Sequence, residues 1–207
     1  MSFSQALVFY SALHSIASFS SESVYQQRTA VSLVNTMWLS SLAAYPVYLM
    51  IMRPNNAINE VLAIPAMTNL ADALITYFAT DLTIGAIFDR KKMSLLEGYI
   101  HHIAYILAIT YVKYKGESSL ILLYLPFEIP TCFLNLNRLD TNRPYNLSFG
   151  ISFVVFRILY NMWLINIMAS YNSLYTSLTV LMLLVHSYWF SKWCNKYIYA
   201  VPRINNV

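Results

Sequence analysis

The sequence predicts an all-α, polytopic membrane protein with about seven membrane-spanning helices. Hydrophobic residues make up 58% of the 207 residues, charged residues make up 11%, and the mean hydropathy is +0.51. Soluble domains carry roughly 25% charged residues, so this chain has too few charges to cover a water-exposed surface. The 17 tyrosines and four tryptophans are typical of the aromatic belts at membrane–water interfaces.

Apolar stretches separated by short charged connectors give the predicted spans in order. The first stretch, Phe3–Phe19, lacks the basic flank and the cleavage site of a signal peptide, so we expect a membrane anchor. Six more stretches follow: Thr29–Met52, Ala66–Phe88, Leu95–Tyr114, Leu120–Leu136, Leu147–Ala169 and Leu174–Trp193. No internal repeat or long linker interrupts them. Residues 1–207 are therefore expected to form a single transmembrane domain.

Basic residues are distributed unequally between the two ends of these spans. One end carries only Arg53, Lys113 and Lys115. The other end carries most of the basic residues: Arg28, Arg90, Lys91, Lys92, Arg138, Arg143, Lys192, Lys196 and Arg203. The positive-inside rule then predicts a lumenal or outside N-terminus and a cytosolic C-terminus. The sequon Asn146-Leu147-Ser148 falls on the cytosolic side and is expected to carry no glycan.

Composition argues against several classes of function. The four glycines form no phosphate-binding loop. Cys132 and Cys194 are isolated, with neither metal-ligand spacing nor a disulfide framework. The net charge of +4 follows from the loop asymmetry, and no basic stripe with interleaved aromatic residues is present, so no nucleic-acid partner is expected.

Polar side chains recur at a similar depth inside the predicted spans. We counted residues from the end of each span that lies on the side with most of the basic residues. At about 1.5 Å per residue, these side chains lie about 8–15 Å below the membrane surface on that side. Every predicted helix contributes to this layer, which comprises His14, Asn35, Asp81, His101, His102, Glu128, Arg157 and His186. Ionisable side chains are costly in hydrocarbon and usually face a partner or a cavity. The layer therefore predicts a central polar chamber.

The adjacent histidines and the aspartate of this layer suggest acid–base or nucleophilic chemistry. An imidazole oriented by a carboxylate can take a proton from a hydroxyl or amine, or can itself carry an acyl group. We therefore assign candidate catalytic roles to His101, His102 and Asp81. Candidate substrate contacts are the polar and aromatic residues on the neighbouring helix faces: Glu128, Arg157, Tyr77, Tyr105, Asn35 and His186.

Other interpretations of the layer stay open. Pairs such as Asp81 with a histidine, or Glu128 with Arg157, could stabilise the bundle without any chemistry, at about 0.6–2 kcal/mol each. Histidine and carboxylate are also metal ligands. Adjacent histidines on one helix diverge by about 100°, so neither a metal nor another bound cofactor is predicted. A channel or transporter is disfavoured because the layer does not continue across the bilayer.

Five segments resemble, in order, motifs of the TLC-domain family of membrane proteins, to which the ceramide synthases belong. The second and third segments contain Asp81 and the histidine pair. The likeness covers about residues 26–193. The segments are Q-Q-R-T-A-V-S-L-V-N (Gln26–Asn35), T-Y-F-A-T-D-L (Thr76–Leu82), I-H-H-I-A-Y (Ile100–Tyr105), F-E-I-P-T-C-F-L-N-L-N-R (Phe127–Arg138) and H-S-Y-W-F-S-K (His186–Lys192).

The resemblance implies a helical barrel that encloses a chamber, with Asp81, His101 and His102 at its centre. The ceramide synthases carry a further His-Asp and Asp after the histidine pair, where this chain has Glu128-Ile129-Pro130. The chain therefore looks closer to the small TLC-domain members implicated in membrane lipid composition. Asn35 stands where the family usually has histidine and His186 where it usually has asparagine, which suggests an exchange across the chamber.

The function implied by the resemblance is lipid metabolism in the endoplasmic reticulum. The expected partners are membrane lipids, namely fatty acyl chains with a sphingoid base or a phospholipid. If the protein is an N-acyltransferase of the ceramide synthase type, acyl-CoA is the expected co-substrate. The alternative is a non-enzymatic regulator of lipid composition, or a cargo or adaptor protein of the endoplasmic reticulum with the same fold.

Overall fold

The computed structural model describes residues 3–65, 67–140, 142 and 144–198. Within these ranges every regular element is helical, which confirms the predicted all-α class. The predicted start at Ala66 and the basic residues Arg143 and Arg203 lie outside the described residues. The α-helices are α1 Phe3–Ser20, α2 Val24–Leu42, α3 Ala44–Met52, α4 Ala57–Leu62, α5 Thr68–Phe88, α6 His101–Tyr114, α7 Ile129–Leu139, α8 Asn146–Ser152, α9 Tyr160–Ala169 and α10 Ser173–Tyr197.

Among the described residues, four helical stretches are long and apolar enough to cross a membrane. They are Thr68–Phe88, Ser118–Leu139, Asn146–Ala169 and Ser173–Tyr197. They are consistent with an integral membrane protein. The three other predicted spans stay a prediction, because no other described helical stretch is both long enough and apolar enough to cross a membrane.

Two details of the predicted second span and its connector differ in the structure. The helix predicted to run without a break over Thr29–Met52 is divided at Ala43. Pro46 lacks the amide hydrogen that would continue the helical ladder there. The connector that follows is not purely a loop, since it contains a 3₁₀ turn at Pro54–Asn56 and then α4. Helix α4 forms because Ala57 and Val61 are buried against the bundle.

Three longer helical segments depart from α geometry. Residues Leu95–Ile100 form a π-helix that leads into α6, and Phe153–Leu159 form a second π-helix between α8 and α9. Residues Ser118–Glu128 form a 3₁₀-helix that leads into α7. Pro126 lies inside this segment and Pro130 in the first turn of α7, so the helix changes type between the two prolines. Such departures are frequent at functional sites.

The 3₁₀ segment Ser118–Glu128 lies at the centre of the bundle. Nine of its residues are buried, and it contacts α2, α3, α4, α5, α6 and the second π-helix. Around it, α2 packs along α7, α5 packs against α1 and α6, and α10 packs against α9. Large apolar side chains are exposed on the outside, including Val8, Ile16, Leu107 and Leu181. An apolar exterior of this kind suits lipid contact.

Candidate functional site

Asp81, on α5, is the centre of a charged network. Arg28 of α2 donates two hydrogen bonds to it, from Nε to Oδ1 at 3.0 Å and from Nη2 to Oδ2 at 2.8 Å. The same guanidinium donates from Nη1 to Oδ2 of Asp89, at 3.2 Å. Bidentate arginine–carboxylate pairs are among the strong hydrogen bonds of proteins. The network therefore fixes the start of α2 against the last turns of α5.

Gly85 makes room for this network. A Cβ atom at that position would lie 2.7 Å from Cζ of Arg28 and 2.6 Å from Sδ of Met93, closer than side-chain atoms approach one another. Arg28 can therefore reach Asp81 along α5 because residue 85 has no side chain.

His102 joins the same network from the start of α6. Its Nε2 atom lies 3.0 Å from Oδ2 of Asp81, and its Nδ1 atom lies 2.5 Å from the carbonyl oxygen of Gly98. Both partners are acceptors. A neutral imidazole has one N–H, whereas the imidazolium donates from both nitrogens and can make both bonds. The protein itself therefore occupies both ring nitrogens of His102.

The π-helix before α6 explains this orientation. Gly98 lies in that π-helical segment, four residues before His102, and its carbonyl oxygen accepts from the imidazole. A π-helical turn contains an extra residue, which rotates the residues that follow it about the helix axis. The local departure from α geometry thus sets the direction in which the histidine pair points.

His101 has a different environment from its neighbour. Its ring packs against Tyr105 at 4.5 Å between centroids, Trp189 at 5.5 Å and Phe78 at 6.3 Å. Within the described part of the chain, neither of its ring nitrogens has a hydrogen-bond partner, and the residue lines a cavity. His101 is therefore the imidazole of the pair that a ligand can reach.

The cavity has a volume of about 360 Å³. It is partly open, and its lining combines charged groups with aromatic rings. Among the sequence-predicted residues, the three catalytic candidates and three substrate-contact candidates line it: Asp81, His101, His102, Tyr77, Glu128 and Arg157. The arrangement can hold an amphiphilic molecule against a free imidazole.

Arg157 and Glu128 do not form the direct ion pair considered from the sequence. Among the described residues, Arg157 instead donates from Nε to the carbonyl oxygen of Phe127 at 2.9 Å and from Nη2 to Oγ1 of Thr131 at 2.8 Å. Its guanidinium also lies over the rings of Phe153 and Trp189. Arg157 therefore bridges to both sides of Glu128, and both side chains face the cavity.

The other three predicted substrate contacts, Asn35, Tyr105 and His186, do not line this cavity. Asn35 accepts a hydrogen bond of 2.6 Å from the Tyr10 hydroxyl. His186 lies 3.4 Å from Nδ2 of Asn161. Tyr105 supports the site indirectly, through its ring contact with His101. Asn35 and His186 therefore bond to different partners, and no contact between them supports the predicted exchange.

Arg28 is the site residue that sequence reasoning missed, because it was counted only among the basic loop residues. The sequence feature that could have located the start of α2, and with it Arg28, was Ser23. Its hydroxyl accepts a hydrogen bond of 3.3 Å from the amide of Gln26 and caps α2. A helix that begins at Val24 rather than at Thr29 places Arg28 inside the bundle.

Among the described residues, no group of three or more histidine, cysteine or acidic side chains is arranged to hold a metal ion. Comparisons of the chain with protein-family models, with curated protein sequences and with solved structures found no match.

Proposed function

We propose that this protein is a multi-pass membrane enzyme of lipid metabolism that transfers an acyl group in the chamber around His101. The observation that carries the proposal is a contrast within the histidine pair. Both imidazoles line the cavity, but His102 is held by Asp81 and Gly98, whereas the ring nitrogens of His101 have no hydrogen-bond partner among the described residues. This is the arrangement expected of an imidazole kept available for a substrate beside an anchored neighbour.

The proposed reaction joins a fatty acyl thioester, acyl-CoA, to an amine or hydroxyl of a lipid. His101 takes the proton of the attacking group as its nitrogen or oxygen bonds to the acyl carbonyl carbon. The carbon–sulfur bond then breaks, and the proton passes to the departing thiolate, which leaves as free CoA. In a two-step variant His101 itself accepts the acyl group before the lipid does. Asp81 and Arg28 act through His102, whose position they fix.

The fold, membrane and substrate contacts that we propose for this reaction rest on the resemblance to the TLC-domain family. The chain would form a TLC-like helical barrel of about seven spans in the endoplasmic reticulum, with the basic helix ends on the cytosolic side. Glu128, Arg157 and Tyr77 would contact the polar part of the lipid, either a sphingoid base or a phospholipid. The apolar exterior of the described helices supports access from the bilayer.

Lipidomics on cells that express the wild type or His101→Ala at matched levels tests the proposal. His14→Ala is the control, because this imidazole lies on α1 and does not line the cavity. We expect a lipid class that changes with the wild type and with His14→Ala, and that does not change with His101→Ala. A change that persists in His101→Ala would refute the transfer role of His101.

The alternative proposal is a non-enzymatic regulator of lipid composition, or an adaptor with the same fold. The observation that favours it is that Arg28, Asp81 and His102 link three helices, a role that needs no chemistry. A regulator should keep its cellular phenotype when His101 becomes glutamine, which preserves size and polarity. An enzyme should lose it.

A further inference from the structure

Two basic residues of the cavity have no acidic partner among the side chains that the structure describes. Lys92 follows α5, and its ammonium group lies 4.5 Å from the centroid of the Tyr25 ring. Arg138 lies in the last turn of α7. Both line the cavity, and neither forms a salt bridge with a carboxylate in the described ranges. Arg28, in contrast, is matched by two carboxylates. Arg157 also lacks a salt bridge among the described residues, but Phe127 and Thr131 accept its hydrogen bonds. Lys92 and Arg138 are thus the cations of the lining that are available to a ligand.

Two hydrogen-bond donors of the cavity also lack acceptors in the described part of the chain. The indole N–H groups of Trp189 and Trp193 are buried without a hydrogen-bond partner there, and both residues line the cavity. The two residues are four positions apart on α10, so they share one helix face. An indole N–H can only donate, and a buried donor without an acceptor is destabilising until a ligand supplies one.

We infer that this cavity binds the phosphate group of an amphiphilic ligand, between Lys92 and Arg138 and within reach of the two indoles. A carboxylate carries only one negative charge, whereas the cavity presents two cations and two further donors. A phosphate monoester has three strong acceptor oxygens and up to two negative charges. Lys92 and Arg138 both lie at helix ends, and lipid phosphates lie at the membrane surface.

The apolar part of the same lining would take the ligand's hydrocarbon portion. Phe78, Leu134, Phe149 and Phe153 contribute to it, and His101 lies on the same cavity. The phosphate can belong to a phospholipid head group or to a soluble carrier such as CoA. This inference deepens the proposed function, because it assigns a ligand class to the same cavity. It is tested by binding alone, without turnover.

The experiment uses the purified full chain in detergent and follows tryptophan fluorescence, since Trp189 and Trp193 line the site. The lipid probes are dioctanoyl phosphatidic acid and dioctanoylglycerol, which lacks the phosphate. The soluble probes are CoA and pantetheine, which has no phosphate. We expect at least one phosphate-bearing probe to bind about tenfold more tightly than its phosphate-free counterpart.

The decisive variant is Lys92→Gln/Arg138→Gln, with Arg90→Gln/Lys91→Gln as its matched control. Both double variants remove two positive charges, and Arg90 and Lys91 lie on the same turn as Lys92, but they do not line the cavity. The first should weaken phosphate binding about tenfold, and the control should leave it unchanged. Lys92→Arg/Arg138→Lys keeps both charges and should retain binding.

The outcomes separate the sources of the phosphate. Binding of phosphatidic acid alone assigns a lipid head group, binding of CoA alone assigns a soluble carrier, and binding of both assigns a shared phosphate site. Equal weakening in the two Gln double variants, or equal binding of phosphate-free probes, would overturn the inference. Phosphate binding in a protein that changes no cellular lipid would refute acyl transfer and leave the phosphate site intact.

Discussion

Nε2 of His102 lies 3.0 Å from Oδ2 of Asp81, whereas the adjacent histidine makes no such bond within the described residues. The two imidazoles are consecutive in sequence and line the same cavity, yet the bundle's own hydrogen bonds occupy only the ring of His102. Substitutions of the two residues should therefore have separable effects on stability and on function.

The first prediction concerns stability. His102→Gln should lower the free energy of unfolding by about 1–3 kcal/mol, because a glutamine at this position cannot donate to both Gly98 and Asp81 in the same geometry. His101→Gln should lower it by less, because it removes ring contacts with Phe78, Tyr105 and Trp189 but no hydrogen bond to a described residue. Thermal unfolding of the two purified variants in the same detergent measures the difference. Equal losses would contradict the assignment of separate roles.

Arg28 provides the second prediction. Arg28→Gln leaves Asp81 and Asp89 without their cation, and breaking a largely buried pair from one side costs about 3–5 kcal/mol. Arg28→Lys should recover only part of this loss, because an ammonium cannot make the bidentate contact.

A double variant supplies the control. Arg28→Gln/Asp81→Asn removes both charges of the pair and should be more stable than Arg28→Gln alone. The midpoints of thermal unfolding rank the three variants. A double variant no more stable than the single one would show that the charge left on Asp81 is not the cause of the loss.

The sequence was sufficient for the helical class and for the placement of Asp81 and the histidine pair in one chamber, because intramembrane charges at one depth converge in a bundle. The sequence was insufficient to predict which residues bond to these side chains. The π-helix that turns His102 towards Gly98 and the 3₁₀ segment that ends at Glu128 depend on packing, and helical periodicity alone does not reveal them. Arg28 was misplaced because hydropathy put the helix start at Thr29, five residues after its actual start.

The third prediction concerns the opposite end of α6. Glu117 accepts hydrogen bonds from Tyr171, at 2.8 Å, and from Tyr175. It follows Gly116, whose φ of 75° turns the chain there. Burial, together with the Glu117 carboxylate, raises the pKa of Tyr171 to about 12, so this phenol stays protonated and donates at neutral pH.

Glu117→Ala should therefore lower the free energy of unfolding by about 1.5–3 kcal/mol for each lost hydrogen bond. It should leave phosphate binding unchanged, because the length of α6, about 20 Å, separates Glu117 from His101. Thermal unfolding and the fluorescence titration of the same preparation check both parts. A loss of phosphate binding in this variant would show that the two ends of the bundle are coupled.

The last prediction concerns orientation in the membrane. Glu22, between α1 and α2, and Asn55, between α3 and α4, are exposed and should lie on opposite sides of the bilayer. With Cys132 and Cys194 replaced by alanine, Glu22→Cys or Asn55→Cys supplies a single thiol. In sealed microsomes with the cytosolic face outward, a membrane-impermeant maleimide should label Glu22→Cys at once. It should label Asn55→Cys only after detergent is added. The reverse pattern would place Lys92 and Arg138 on the lumenal side, and the phosphate ligand would then have to come from that leaflet, which excludes cytosolic CoA as its source.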